Sequence, residues 1–127
     1  MDRRLFLFTV TLILAACATA QGTGPRRSSR VLLADEIAEV SVMSAYQAVE
    51  RLRPQWLHSR ASPTMTNPEG AEPVVYVDGM RMGNLPELLR IRPDRVERME
   101  YLNPSDATNR FGTDHTAGAI LVVTRSD

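Results

Sequence analysis

The sequence predicts a small α+β domain in which short helices cover a mixed β-sheet. Three observations carry that expectation. Runs of β-branched and apolar residues at Val74–Val77 and Gly118–Thr124 have strand length and strand composition. Asp78-Gly79 directly follows the first of them and is the usual type I′ turn of a two-residue hairpin. Between and before these runs, short segments such as Ala45–Leu52 place apolar residues at helical spacing and end at prolines.

The chain has 127 residues, of which 43% are hydrophobic and 24% charged, an ordinary globular composition with room for one domain. Fifteen arginines, with no lysine, balance fifteen acids. That balance gives no electrostatic case for nucleic-acid binding, which needs a basic surplus on one face.

Residues 1–16 read as a lipoprotein-type signal peptide. Arg3-Arg4 form a short basic start, and Leu5–Leu14 run apolar for ten residues. Such a run is too short to span a bilayer but suits a signal-peptide core. Leu14-Ala15-Ala16-Cys17 resembles the lipobox of bacterial lipoproteins, which implies lipidation of Cys17 as the new N-terminus. The only cysteine of the chain falls on the one position this signal needs. A plain signal peptide cut near Ala16 or Ala20 is the alternative. The short upstream stretch favours the general secretory route over twin-arginine export. Ala18 stands where aspartate would favour inner-membrane retention, so the expectation is a lipid anchor in the outer membrane, facing the periplasm. Residues 17–30 are expected to be a flexible tether, spanning roughly 20 Å as a coil. The domain is then residues 31–127.

Within the domain, Val31–Leu33 is expected to open a strand. Asp35 and Glu36 suit the first turn of a helix, with Ile37 and Val40 facing inward. Ser44 is the expected N-cap of a second helix, which Pro54 stops. Trp56-Leu57 is expected to close on the core as a strand or anchor, and residues 60–72 to form an exposed loop. After the Asp78-Gly79 turn, Met80, Arg81 and Met82 are expected to alternate on the return strand. A short helix over Leu85–Ile91 ends before Pro93. A turn and then a strand run from Val96 to Tyr101, with Glu97, Arg98 and Glu100 outward. Pro104–Phe111 is a helix with proline in its first turn, and Gly112 is its exit. Gly118–Thr124 is nearly all apolar and is expected to be a central strand.

Taken in order, these motifs resemble the plug domain of TonB-dependent outer-membrane receptors. The matching residues are Val75–Gly79 with its aspartate-glycine turn, and Val96-Glu97-Arg98-Met99-Glu100-Tyr101 against a strand of the form I-E-x-I-E-V. They continue with Ala107–Gly112 against a small-residue helix ending in tyrosine-glycine, and Gly118–Thr124 against a glycine-led closing strand. Leu33–Ile37 and Ala45–Pro54 look like the two leading helices of the plug. The resemblance covers about 95 residues and implies a plug-like α+β fold. Several features depart from the family. The receptor barrel would begin after Arg125, the tether has no convincing TonB box, and Pro54-Gln55-Trp56 stands where the family has proline-glycine-valine. The reading is therefore a freestanding plug on a lipoprotein.

For chemistry the sequence offers little. His58 and His115 are the only histidines. Asp114-His115 in a glycine-bounded loop reads as a solvated turn, and Asp78 has a conformational reason to precede Gly79. No zinc-ligand spacing, nucleophile elbow or phosphate loop appears. No enzyme, cofactor or metal is expected. The leading expectation is a protein-interaction module, accessory to outer-membrane transport, whose partner is an outer-membrane β-barrel or an energising periplasmic protein. Its candidate contact residues are Trp56, Asp78, Gly79, Met80 and Met82. The alternative is a periplasmic small-ligand or glycan-binding module with Trp56, Tyr76 and Tyr101 as its stacking surface.

Overall fold

A computed structural model describes residues 28–58 and 72–126. The signal segment, Cys17, most of the tether and nearly all of the expected 60–72 loop lie outside the described residues. The elements in chain order are β1 (Val31–Leu33), α1 (Ala34–Ala38), α2 (Ala45–Leu52), β2 (Val74–Val77), β3 (Met80–Gly83), β4 (Val96–Leu102), α3 (Pro104–Phe111) and β5 (Ala119–Thr124). Short 3-10 turns occupy Pro54–Trp56, Leu85–Arg90 and Pro93–Arg95. The fold is α+β, with one mixed five-stranded sheet in the order β1-β4-β5-β2-β3.

The nearly continuous apolar run of β5 places it at the centre, antiparallel to β4 and parallel to β2. Its two faces alternate, as strand geometry requires. Ile120 and Val122 join Val75, Leu32, Val96 and Met99 on one face, beneath α1, α2 and the Leu85–Arg90 turn. Ala119 joins Val74 and Tyr76 on the other, against Ala107 of α3. The core is thus two layers separated by the sheet. Helix α2 buries Ala45, Ala48 and Val49, an i, i+3, i+4 stripe; of the spacing expected from the sequence (Ala45, Val49 and Leu52), Leu52 is only half-buried. The Ser44 side chain accepts from the Gln47 amide at 3.3 Å, and Asn103 caps α3 through the Asp106 amide at 2.8 Å.

Several expectations are corrected. Leu85–Arg90 is a 3-10 turn rather than an α-helix: it spans only six residues, too few for an α-helical ladder by itself to offset its nucleation. Trp56 sits in a 3-10 turn, not a strand, though it does anchor there, being buried with its indole N–H donating to Ser29 O at 3.0 Å. The alternation of β3 is broken by a register shift, in which Tyr76 pairs with Arg81 but Val75 pairs with Gly83. Met82 is therefore the extra residue of a β-bulge, not the regular i+2 partner of Met80.

The chain entry also departs from the expected tether. Ser28 and Ser29 offer carbonyls to Arg53 and Trp56, and Arg30 O accepts from the Tyr101 amide at 2.8 Å. The Arg30 guanidinium lies 3.7 Å from Asp106. Residues 28–30 thus belong to the folded unit. Arg53 is the centre of this entry. Its Nη2 donates to Ser28 O at 3.1 Å, Val31 O at 3.2 Å and Glu36 Oε2 at 2.8 Å, and its Nη1 donates to Leu52 O at 2.9 Å. Both members of the Arg53–Glu36 pair are nearly buried, and Arg53 Nε has no hydrogen-bond partner among the described residues. The charge that the sequence assigns to a helix dipole thus serves an ion pair.

Candidate functional site

The hairpin residues come together as the sequence predicts. Asp78 and Gly79 have φ of 49° and 83°, the two positive values that a type I′ turn needs. Beyond them, β3 is an edge strand with Met80 67% and Met82 47% exposed. An edge strand carries backbone groups that a further strand can pair, and two large apolar side chains on it form a contact surface.

Asp78 does more than shape the turn. Its carboxylate accepts from the Thr124 amide at 2.9 Å and from the Thr124 hydroxyl at 2.6 Å, and its own amide donates to Val122 O at 2.9 Å. The turn is latched to the end of the central strand. The Thr124 hydroxyl first, and the Thr124 amide second, hold the Asp78 carboxyl below the usual carboxylate range. A carboxyl whose folded value is lowered stabilises the fold above the unfolded value of about 3.9, and loses that contribution as pH falls through the lowered folded value. Thr124→Val is therefore expected to cost about 1 kcal/mol at neutral pH. In urea titrations its deficit relative to the wild type should close in acid below that window.

Trp56 does not join the hairpin. It packs against Tyr101, with ring centroids 6.0 Å apart and an interplanar angle of 21°. Tyr101 pairs with Ile120 near the start of β5 and donates its hydroxyl to Ala117 O at 3.1 Å. The hairpin latch is at Thr124, the other end of the same strand, roughly 13 Å from Ile120 at strand rise. The five candidate contact residues therefore divide into a hairpin group of four and a separate Trp56 position.

Tyr76 is likewise removed from the expected aromatic trio. It is buried on the α3 face, stacked on Phe111 with centroids 4.0 Å apart. His115, expected in a solvated turn, is 2% exposed in the same cluster. Its Nε2 lies 2.8 Å from the Tyr76 hydroxyl, and its Nδ1 lies 2.9 Å from Gly112 O and 3.1 Å from Thr113 O. Of the two neutral tautomers, the one with Nδ1 protonated satisfies this set: Nδ1–H donates to the carbonyls and Nε2 accepts from the Tyr76 hydroxyl. The imidazole staples the loop after α3 to β2. The signal for this in the sequence is only that Tyr76 and Phe111 each need a buried polar or aromatic neighbour, which does not single out His115.

Around Trp56 and Tyr101 lies a half-open cleft of about 330 Å³, which the sequence does not foreshadow. It gathers Arg30 from the entry turn, Gln55 and His58 from beside the Pro54–Trp56 turn, and Asn103 from the end of β4. Among the described residues, no carboxylate lines it.

Among the described residues, no group of three or more His, Cys, Asp or Glu is arranged to hold a metal ion, and no helix is long and apolar enough to cross a membrane. Comparison of the chain with protein families, with characterised proteins and with solved structures gives no match.

Proposed function

We propose that this protein is a non-enzymatic lipoprotein of the bacterial cell envelope, anchored through Cys17, whose plug-like domain is a protein-interaction module accessory to outer-membrane transport. The observation that carries the reading is the β2–β3 hairpin. It is latched to the central strand by Asp78 and Thr124, yet it leaves an edge strand with Met80 and Met82 in solvent. A rigid turn presenting an exposed apolar edge suits docking to another protein. Three of the ordered motifs of the receptor-plug resemblance fall on β2, β4 and β5 of one sheet, and the fourth falls on α3, packed against it, which supports a plug-like module. The non-enzymatic part draws on two residues that the sequence offers for proton transfer. Asp78 is committed to Thr124, and His115 to Tyr76 and two backbone carbonyls.

The anchor is tested by intact mass spectrometry of the protein extracted from envelopes in detergent. The expected result is a chain beginning at Cys17 with the added mass of a diacylglyceryl group and an amide-linked acyl chain. A Cys17→Ala variant should lack that mass and leave the detergent phase. An unlipidated chain cut at another position would overturn the anchored reading.

A further inference from the structure

We infer that the cleft beside Trp56 is a binding site for an acidic sugar, a pyranose unit carrying a carboxylate. The cleft has about 330 Å³, near the lower end of small-molecule sites and several times what a bare inorganic anion fills. Its chemistry has three parts. Arg30, with its side chain 64% exposed, brings a fixed cation with the fork geometry that matches a carboxylate. Gln55 and His58 bring planar donors and acceptors of the kind that pair with ring hydroxyls, and Asn103, whose side chain caps α3 and donates to Asp106, adds its second amide N–H. The half-buried Tyr101 ring, backed by Trp56, gives an apolar wall for the C–H face of a sugar.

The charge pattern selects the anion. Arg30 is the guanidinium lining the cleft, and among the described residues no Asp or Glu lines it. Among the described residues the carboxylate paired with Arg30 is Asp106, at 3.7 Å, and it already accepts from the Asn103 side-chain amide at 2.8 Å. Arg30 is thus held at the rim by a long contact that a ligand carboxylate at ordinary charge-assisted distance would replace. The cleft is assembled by the same entry turn that Trp56 fixes through Ser29 O, so its walls are preformed. This inference stands apart from the interaction-module reading. It uses the opposite end of the central strand and does not require the lipid anchor.

The test uses the mature chain and its single tryptophan, Trp56, as a fluorescent reporter in the wall of the cleft. Titration with D-glucuronate is expected to give a saturable response with a dissociation constant on the order of 1 mM, the range for a ligand this small. D-glucose, which differs by lacking the carboxylate, should bind at least about tenfold more weakly. Arg30→Gln should remove about the same factor for glucuronate and leave glucose unchanged. A Gln55→Ala variant, at an exposed position, should weaken both sugars. Ligand-observed NMR on the same samples checks that the fluorescence change reports binding. The inference is overturned by no saturable response to glucuronate, by equal binding of glucose, by inorganic phosphate binding as tightly as glucuronate, or by an Arg30→Gln variant that binds as the wild type does.

Discussion

Replacing Arg53 by methionine is expected to destabilise the domain by about 3–5 kcal/mol, because it leaves the Glu36 carboxylate buried without its partner. The side chains of the pair are 11% and 10% exposed, so water cannot take over the lost contact. The same change deprives the Ser28 and Val31 carbonyls of a donor and loosens the entry turn from the end of α2. For a domain of this size the loss corresponds to a fall in melting temperature on the order of 15–25 °C. The double change Glu36→Leu with Arg53→Met should recover a substantial part, because it removes both buried charges together. Equilibrium unfolding in urea separates the two cases. If the single variant loses less than about 1 kcal/mol, the pair is behaving as an exposed surface contact and this description of the entry is wrong.

The second large effect is expected at Gly118. Its φ is +85°, and an added Cβ would overlap the Leu102 carbonyl oxygen and stand 2.9 Å from the Tyr101 hydroxyl. Leu102 is paired with Ala119 at the end of the β4–β5 ladder, so the backbone cannot yield without opening that end of the two inner strands. Tyr101 is held by Ala117 O and by the Trp56 ring. Backbone strain and overpacking together place the cost of Gly118→Ala at about 3–5 kcal/mol. Gly79 is the internal control. It has φ +83° but nothing within 4 Å of a built Cβ, so Gly79→Ala should cost only the left-handed penalty of about 1 kcal/mol. Near-equal losses in the two variants would show that conformation alone, and not the close approach of β4, makes Gly118 necessary.

These two positions also mark what local sequence can and cannot convey. The elements that follow from nearest-neighbour physics were legible. The apolar run of β5 predicts a central strand, Asp78-Gly79 predicts the hairpin, and Ser44, Pro54 and Pro104 mark helix ends. Groups whose partners lie far along the chain were not. Glu36 carries equal sequence cues for a helix dipole and for a buried pair, because Arg53 is 17 residues away. His115 looks solvated in its own loop and becomes buried only because Tyr76, 39 residues earlier, brings it a hydroxyl. The bulge at Met82 depends on how β3 registers against β2, which an alternating pattern does not encode.

The candidate site was legible to the same depth. The four hairpin residues are local and appear where they were expected, with Thr124 as an added partner. Trp56 is conspicuous in the sequence as the single tryptophan, but its neighbours come from separate segments. Its place in a cleft with Arg30, Tyr101 and Asn103 therefore exists only once the sheet is assembled.

The central proposal, an anchored module that docks through the β2–β3 edge, is tested most directly by affinity recovery from detergent-solubilised envelopes. The full chain would carry a C-terminal tag, beside Cys17→Ala and beside the pair Met80→Glu with Met82→Glu. The account predicts an outer-membrane β-barrel recovered in near-stoichiometric amount with the wild type, weakened in the unanchored variant and lost in the edge variant, whose melting temperature should stay close to wild type because both side chains are exposed. A lipidated protein recovered alone, or a barrel retained equally by the edge variant, would contradict it.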